Sequence, residues 1–176
     1  MIPTHGISVP PLSRKDIRNI ANLLRSELGI KDPFFPVVQF LEFGMPKLVN
    51  GFTYEVLSIS EMGENHGATF PERNLIQIRE DVYEGAIANK GRDRFTIAHE
   101  FGHFFLHSEI PVHARRLSNS RPQKPYLDSE WQADCFAGEL LIPYELKERN
   151  LSVDEVQYLC RVSLEAASCQ HKSWRK

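Results

Sequence analysis

His99, Glu100 and His103 stand together in the stretch RFTIAHEFGHFFLH, Arg94 to His107, and their types and spacing allow metal chemistry. Two residues four apart on an α-helix lie about 40° apart around the axis and about 6 Å along it, so both imidazoles can reach one ion. Zinc takes His nitrogen at about 2.0–2.1 Å, and a catalytic zinc site uses three protein ligands and leaves the fourth position to water. Glu100 follows the first histidine directly, where its carboxylate can take a proton from that water. Chance would place H-E-x-x-H in roughly one shuffled chain of this composition in forty, so the surroundings have to decide. Phe95, Ile97, Ala98, Phe101, Phe104, Phe105 and Leu106 make the stretch apolar on nearly every side, as in a helix buried in a core. Unpaired polar groups there cost roughly 1–3 kcal/mol each. A metal and its water would satisfy all three.

A third ligand is expected from a second patterned helix, EWQADCFAGELLIP, Glu130 to Pro143. Glu130 and Asp134 are again four apart. A glutamate on a second helix completes a His₂Glu zinc site, and a carboxylate one turn on can hold the free ring N–H of a ligand histidine. The plain alternative for Glu130 is a first-turn residue complementing the helix dipole. Glu139, His107 and His113 compete for the ligand place. Glu139 leaves the helix beside the apolar stripe, and His107, one turn further along the motif helix, is expected to lie too far from the ion.

The elements that must carry these groups follow from periodicity. Ser13 to Leu28 is amphipathic, with Ile17, Ile20, Leu24 and Leu28 on one face, Ser13 as N-cap, Leu12 and Ile17 as a hydrophobic staple and Gly29 past its end. Arg14, Lys15, Arg18 and Arg25 are expected to form a solvated face. A shorter helix over Pro36 to Glu42 should end at Met45-Pro46. Residues 52–60, 67–70 and 75–79 read as three strands parted by the turn-like ENHG and PERN, and DVYEGAIANKGRD as a short helix. The expectation is an α+β fold with a small, mostly antiparallel sheet packed on the motif helix. One domain over 1–176 is expected, with N-terminal helices at about 13–42, sheet at about 52–79, motif helix at about 92–107, third-ligand helix at about 130–141 and a helical tail at about 152–170.

Composition narrows the setting. The chain of 176 residues is 41% apolar and 25% charged, with a formal charge of −2, so it has no basic field for nucleic acid. It shows no leader pattern and no apolar run of membrane-spanning length, which implies a cytoplasmic protein. Cys135, Cys160 and Cys169 form no C-x-x-C pair and read as reduced thiols, the first two as small core residues.

RFTIAHEFGHFFLH followed by E-x-x-A-D-x-F-A-x-E-L-L-I-P resembles the ImmA/IrrE family of zinc metallopeptidases, from about residue 52 to past Pro143. YLCRVSLEAASCQ is similar to that family's helical tail. The resemblance implies a zincin-like fold, regulatory proteolysis in the cytosol, His99, His103 and Glu130 as zinc ligands and Glu100 as base. Asp134 stands where family members often have Asn, and fits the E-x-x-x-D habit of the wider gluzincins. The sequence stops early after HKSWRK, so an extra sensor domain is not expected. The implied substrate is a protein, commonly a helix-turn-helix repressor or antitoxin, in phage, mobile-element or stress control. The rival reading is a zinc-stabilised module that grips such a repressor without cutting it. Gly67-Ala68-Thr69-Phe70, short and low in charge, is the candidate sheet edge for an extended substrate, and Tyr126, His113 or an arginine could stabilise the oxyanion.

Overall fold

The computed structural model describes residues 6–108 and 124–175. Helix α1 (Arg14–Glu27) opens with a capping box, in which Ser13 Oγ accepts from the Asp16 N–H and the Asp16 carboxylate accepts from the Ser13 N–H. The expected arginine face is not solvated. Arg25 is buried and donates to the Leu140 carbonyl at 2.8 Å and to that of Asp32. Arg14 and Arg18 pair with a fully buried Glu139 at 3.1 and 2.8 Å. Helix α1 packs against a later helix instead of water, so the arginine stems run along apolar surface and their heads meet acceptors there.

The next helix, α2, is α-helical over Val37–Gln39, π-helical over Phe40–Gly44 and α-helical again over Met45–Leu48. Met45-Pro46 therefore does not end it. The Met45 N–H reaches back five residues to the Phe40 carbonyl, and after that wide turn Pro46 falls in the first turn of the closing segment, where its missing N–H costs nothing.

Strand β1 (Thr53–Leu57) is shorter than expected, because Ser58 and Glu61 form a capping box that starts helix α3 (Ile59–Met62). Strands β2 (Gly67–Phe70) and β3 (Leu75–Arg79) lie where the pattern puts them. The sheet order is β1-β3-β2, with β3 parallel to β1 and antiparallel to β2. The sheet is thus mixed. A tight turn with Asn74 in the left-handed region folds β2 back onto β3, whereas β1 reaches β3 only after a crossover that α3 and β2 fill. β2 is left at one edge.

Helices α4 (Glu80–Ile87) and α5 (Gly91–Leu106) follow, and then, after a 3₁₀ turn at Pro125–Leu127, α6 (Ser129–Leu141), α7 (Val153–Cys160) and α8 (Leu164–Ser173). This α+β arrangement is the zincin-like one. Ile76 and Ile78 of β3, Ile97 and Phe101 of α5 and Phe136 and Leu140 of α6 are sealed in one core. Arg94 anchors the start of α5: buried, it donates to the Phe35 and Arg161 carbonyls, both at 3.0 Å, and burial followed by the nearby Arg161 charge pulls its pKa down to about 10. The amino-terminal segment docks beside the start of α6, where the Ser129 N–H donates to the Ile7 carbonyl and the Val9 N–H to that of Leu127.

All three cysteines are free, and burial pushes the Cys135 thiol up to about 12 and the Cys160 thiol up to about 11, so both are inert core residues. No helix among the described residues is long and apolar enough to cross a membrane.

Candidate metal centre

The site depends on how closely two helices approach. A Cβ on Gly102 of α5 would lie 2.8 Å from the Ala133 Cα of α6, so only glycine allows this packing. It sets the first turn of α6 beside the middle of α5. His99 and His103, one turn apart on α5, then face Glu130: the two Nε2 atoms are 2.9 Å apart, and each lies 3.3 Å from a Glu130 carboxylate oxygen. A tetrahedral ion with bonds of about 2.0–2.1 Å separates its ligand atoms by about 3.3 Å. The three donors fit zinc in both chemistry and spacing. His99, His103 and Glu130 are the set that could hold a metal among the described residues.

The second expected shell is also in place for one histidine. Asp134 Oδ1 lies 2.8 Å from His99 Nδ1 and accepts its hydrogen, which leaves Nε2 turned toward Glu130. Burial pulls the His99 pKa down, but hydrogen bonds to Asp134 and Glu130 and the nearby Glu100 charge outweigh it and raise the value to about 10. Glu130 is held well below the usual carboxylate range: burial works against this, and the hydrogen bonds and charges of His103 and His99 overcome it. The pocket therefore attracts positive charge, and a proton and a metal ion compete for it. Asp134→Ala is expected to lower zinc affinity about 10- to 100-fold without abolishing binding, measured by chelator competition. Unchanged affinity would show that His99 needs no carboxylate behind it.

Glu100 sits under the edge strand. The Thr69 hydroxyl donates to Glu100 Oε2 at 2.6 Å, and a Cβ on Gly67 would fall 2.6 Å from Oε1. Gly67 and Thr69 thus turn the same way, onto the Glu100 carboxylate, as alternate residues of a strand do. The Arg79 N–H donates to the His66 carbonyl, and narrow and wide pairs alternate along an antiparallel ladder. By that alternation Ala68 and Phe70 turn their backbone groups toward β3, and Gly67 and Thr69 turn theirs toward the open edge. That edge borders a cleft of about 780 Å³, which Phe70, Phe95, His99, Glu100 and Glu130 also line.

Other expected residues fall elsewhere. Glu139 is remote in role, paired with Arg14 and Arg18. His107 is buried and meets His103 Nδ1 at 3.1 Å, on the far side of that ring from Glu130. Tyr126 is exposed and does not line the cleft, while its carbonyl accepts from Gln132. His113 lies outside the described residues. His66, which spacing did not single out, lines the cleft and accepts from Arg92 Nη2 at Nε2. No local pattern ties it to the motif, since only the fold of the turn before β2 brings it there.

The family model described as Peptidase_M78, IrrE N-terminal-like domain, matches residues 56–167. Comparison with curated proteins gives no match. Among solved structures, one described as a Mycobacterium tuberculosis transcriptional regulator is similar with a TM-score of 0.58 and 15% identity, over 90% of this chain and 46% of that one. The chain spans under half the length of that structure, and at such identity the likeness speaks for the fold alone.

Proposed function

The chain belongs to the Peptidase_M78 family through its IrrE N-terminal-like domain, and from that premise we propose that it is a zinc-dependent endopeptidase acting on a regulatory protein. The observation that carries this reading is the convergence of His99, His103 and Glu130 on one point, with Glu100 beside them under a sheet edge. Zinc held there would supply Lewis acidity, polarising the scissile carbonyl and acidifying a water. Glu100 takes the proton and later delivers it to the leaving amine, with Thr69 holding one carboxylate oxygen so that the other is left for the transfer. Asp134 orients His99. The outward backbone groups of Gly67 and Thr69 pair with an extended substrate, and Ala68 and Phe70 keep β2 in the sheet. Residues 1–176 act as one zincin-like metallopeptidase unit. The substrate is a helix-turn-helix repressor or antitoxin in the cytoplasm, under phage, mobile-element or stress control, and the near-neutral charge supports a protein rather than a nucleic-acid partner.

The test is incubation of the zinc-loaded protein with the repressor encoded beside it. Two fragments that vanish with a chelator support the proposal, and an intact repressor held in a stable complex would instead make the protein a sequestering module. Gly67→Ala sets a methyl group against the Glu100 carboxylate. It is expected to lower turnover roughly 10- to 100-fold with zinc content intact, because reacting groups tolerate little displacement. Unchanged turnover would remove Glu100 from the reacting centre.

A further inference from the structure

The amino-terminal segment is fastened to the start of α6, the helix that carries Glu130. The Ile7 N–H donates to Ser129 Oγ at 3.0 Å, and the Ile7 carbonyl accepts from the Ser129 N–H at 3.1 Å. Val9 is buried and its N–H donates to the Leu127 carbonyl at 2.9 Å, while the Pro10 carbonyl accepts from the Gln132 amide at 2.8 Å. Gly6 is buried too: a Cβ there would run into Asp128 Oδ1 and come within 2.9 Å of the Glu130 nitrogen. A terminal segment tied down in this way has a fixed place. Ile7, so held, lines the same cleft as β2 and the three possible ligands.

The cleft changes character along its length. His66, just before β2, meets Arg92 near the beginning of α5, and the Thr69 hydroxyl lies 3.2 Å from the Glu100 carbonyl two turns further on. Strand and helix therefore run in the same sense, which puts Phe70 and Pro71 toward His103. The segment carrying Ile7 is on that side as well, since Gln132 joins Pro10 to His107, its oxygen 3.1 Å from His107 Nε2. Ile7, Phe70 and Pro71 make this end apolar, whereas Glu64, Asn65 and His66 line the other. An extended chain held by the outward groups of Gly67 and Thr69 turns every second side chain to one face. We propose that Ile7 is a specificity-determining residue, forming with Phe70 and Pro71 a subsite for an aliphatic or aromatic side chain of the polypeptide paired with β2. Such a side chain leaves water for apolar surface there, and a polar one would give up hydration. Ile7 precedes residues 56–167, which match the family model, so this wall comes from a part of the chain that the family does not define.

The subsite rests on the peptidase reading for its polypeptide ligand, so binding is measured apart from cutting, in the full-length Glu100→Gln protein. The probes are fluorescent heptapeptides of glycine and serine with one leucine or, at the same place, one asparagine, which has nearly the same shape but is polar. The guest residue is moved along the peptide one position at a time, and affinity is read by anisotropy. At one position leucine is expected to bind at least about 10-fold more tightly than asparagine. Ile7→Ser in the same background should bring that ratio close to one. Ile7→Trp should move the preference from leucine to alanine, because the larger side chain fills the subsite, a change that mere loosening of the segment would not produce. Zinc content, measured alongside, should hold in both variants, and its loss would assign Ile7 to supporting Glu130 and overturn the proposal. Equal affinities at every position, no binding at all, or a leucine preference that survives both substitutions would also overturn it. Should one variant fail to fold, the other decides. A leucine peptide that binds selectively but stays whole with the zinc-loaded wild-type protein would refute the peptidase reading and leave the subsite standing.

Discussion

Glu130→Ala, like His99→Ala and His103→Ala, is expected to be purified nearly free of zinc and to melt well below the wild-type protein. Each variant leaves two donors where three converge, and two are too few to close a zinc site. Glu139, on the same helix, cannot take over, because it is buried under two arginines. The magnitude follows from linkage. With free zinc about 1,000-fold above its dissociation constant, losing the site withdraws about 4 kcal/mol from the folded state. For a chain of this size each kcal/mol moves Tm by roughly 2–4 °C, so the drop should be about 8–16 °C. Metal analysis and melting curves in matched zinc buffers read both effects. Full occupancy with unaltered affinity in the Glu130→Ala protein would show that another group is the ligand.

Glu100→Gln should separate chemistry from binding. The amide has nearly the volume of the carboxylate, and its oxygen can still accept from the Thr69 hydroxyl, so the packing under β2 should survive. What it loses is the capacity to take a proton. Turnover is expected to fall roughly 10²- to 10⁴-fold, while zinc content and melting temperature stay close to wild type. Wild-type turnover in a folded, zinc-loaded Glu100→Gln protein would end the general-base assignment.

The contrast between these residues and the rest of the site shows what local pattern can carry. His99, His103, Glu130 and Asp134 were legible because helical spacing alone puts each pair on one face, and the structure needed only to bring the two faces together. The burial of Arg14, Arg18 and Arg25 was not legible. Arginine on an amphipathic helix reads as solvated unless its acceptors are known, and Glu139 lies more than a hundred residues further along the chain. Strand positions were readable, but pairing was not, since direction depends on what crosses over between β1 and β3. Pro46 was read as a helix end because the π-turn before it leaves no mark in residue type. His107 was set aside for its distance from the ion. In the structure it meets the Nδ1 of His103, the nitrogen turned away from Glu130.

The contact of Gly102 with Ala133 makes the gap between two helices a dial on metal affinity. The three residues that could hold a metal come from opposite sides of that gap, two from α5 and one from α6, and metal–ligand bonds hold to within about 0.2 Å. Any side chain that spreads the pair by a few tenths of an ångström stretches the coordination sphere without touching a ligand. Residues on the seam can thus loosen or tighten the metal, or favour an ion of another radius, while every ligand stays unchanged. Affinity in this fold can be tuned by the carpentry of two helices, independently of the coordinating atoms.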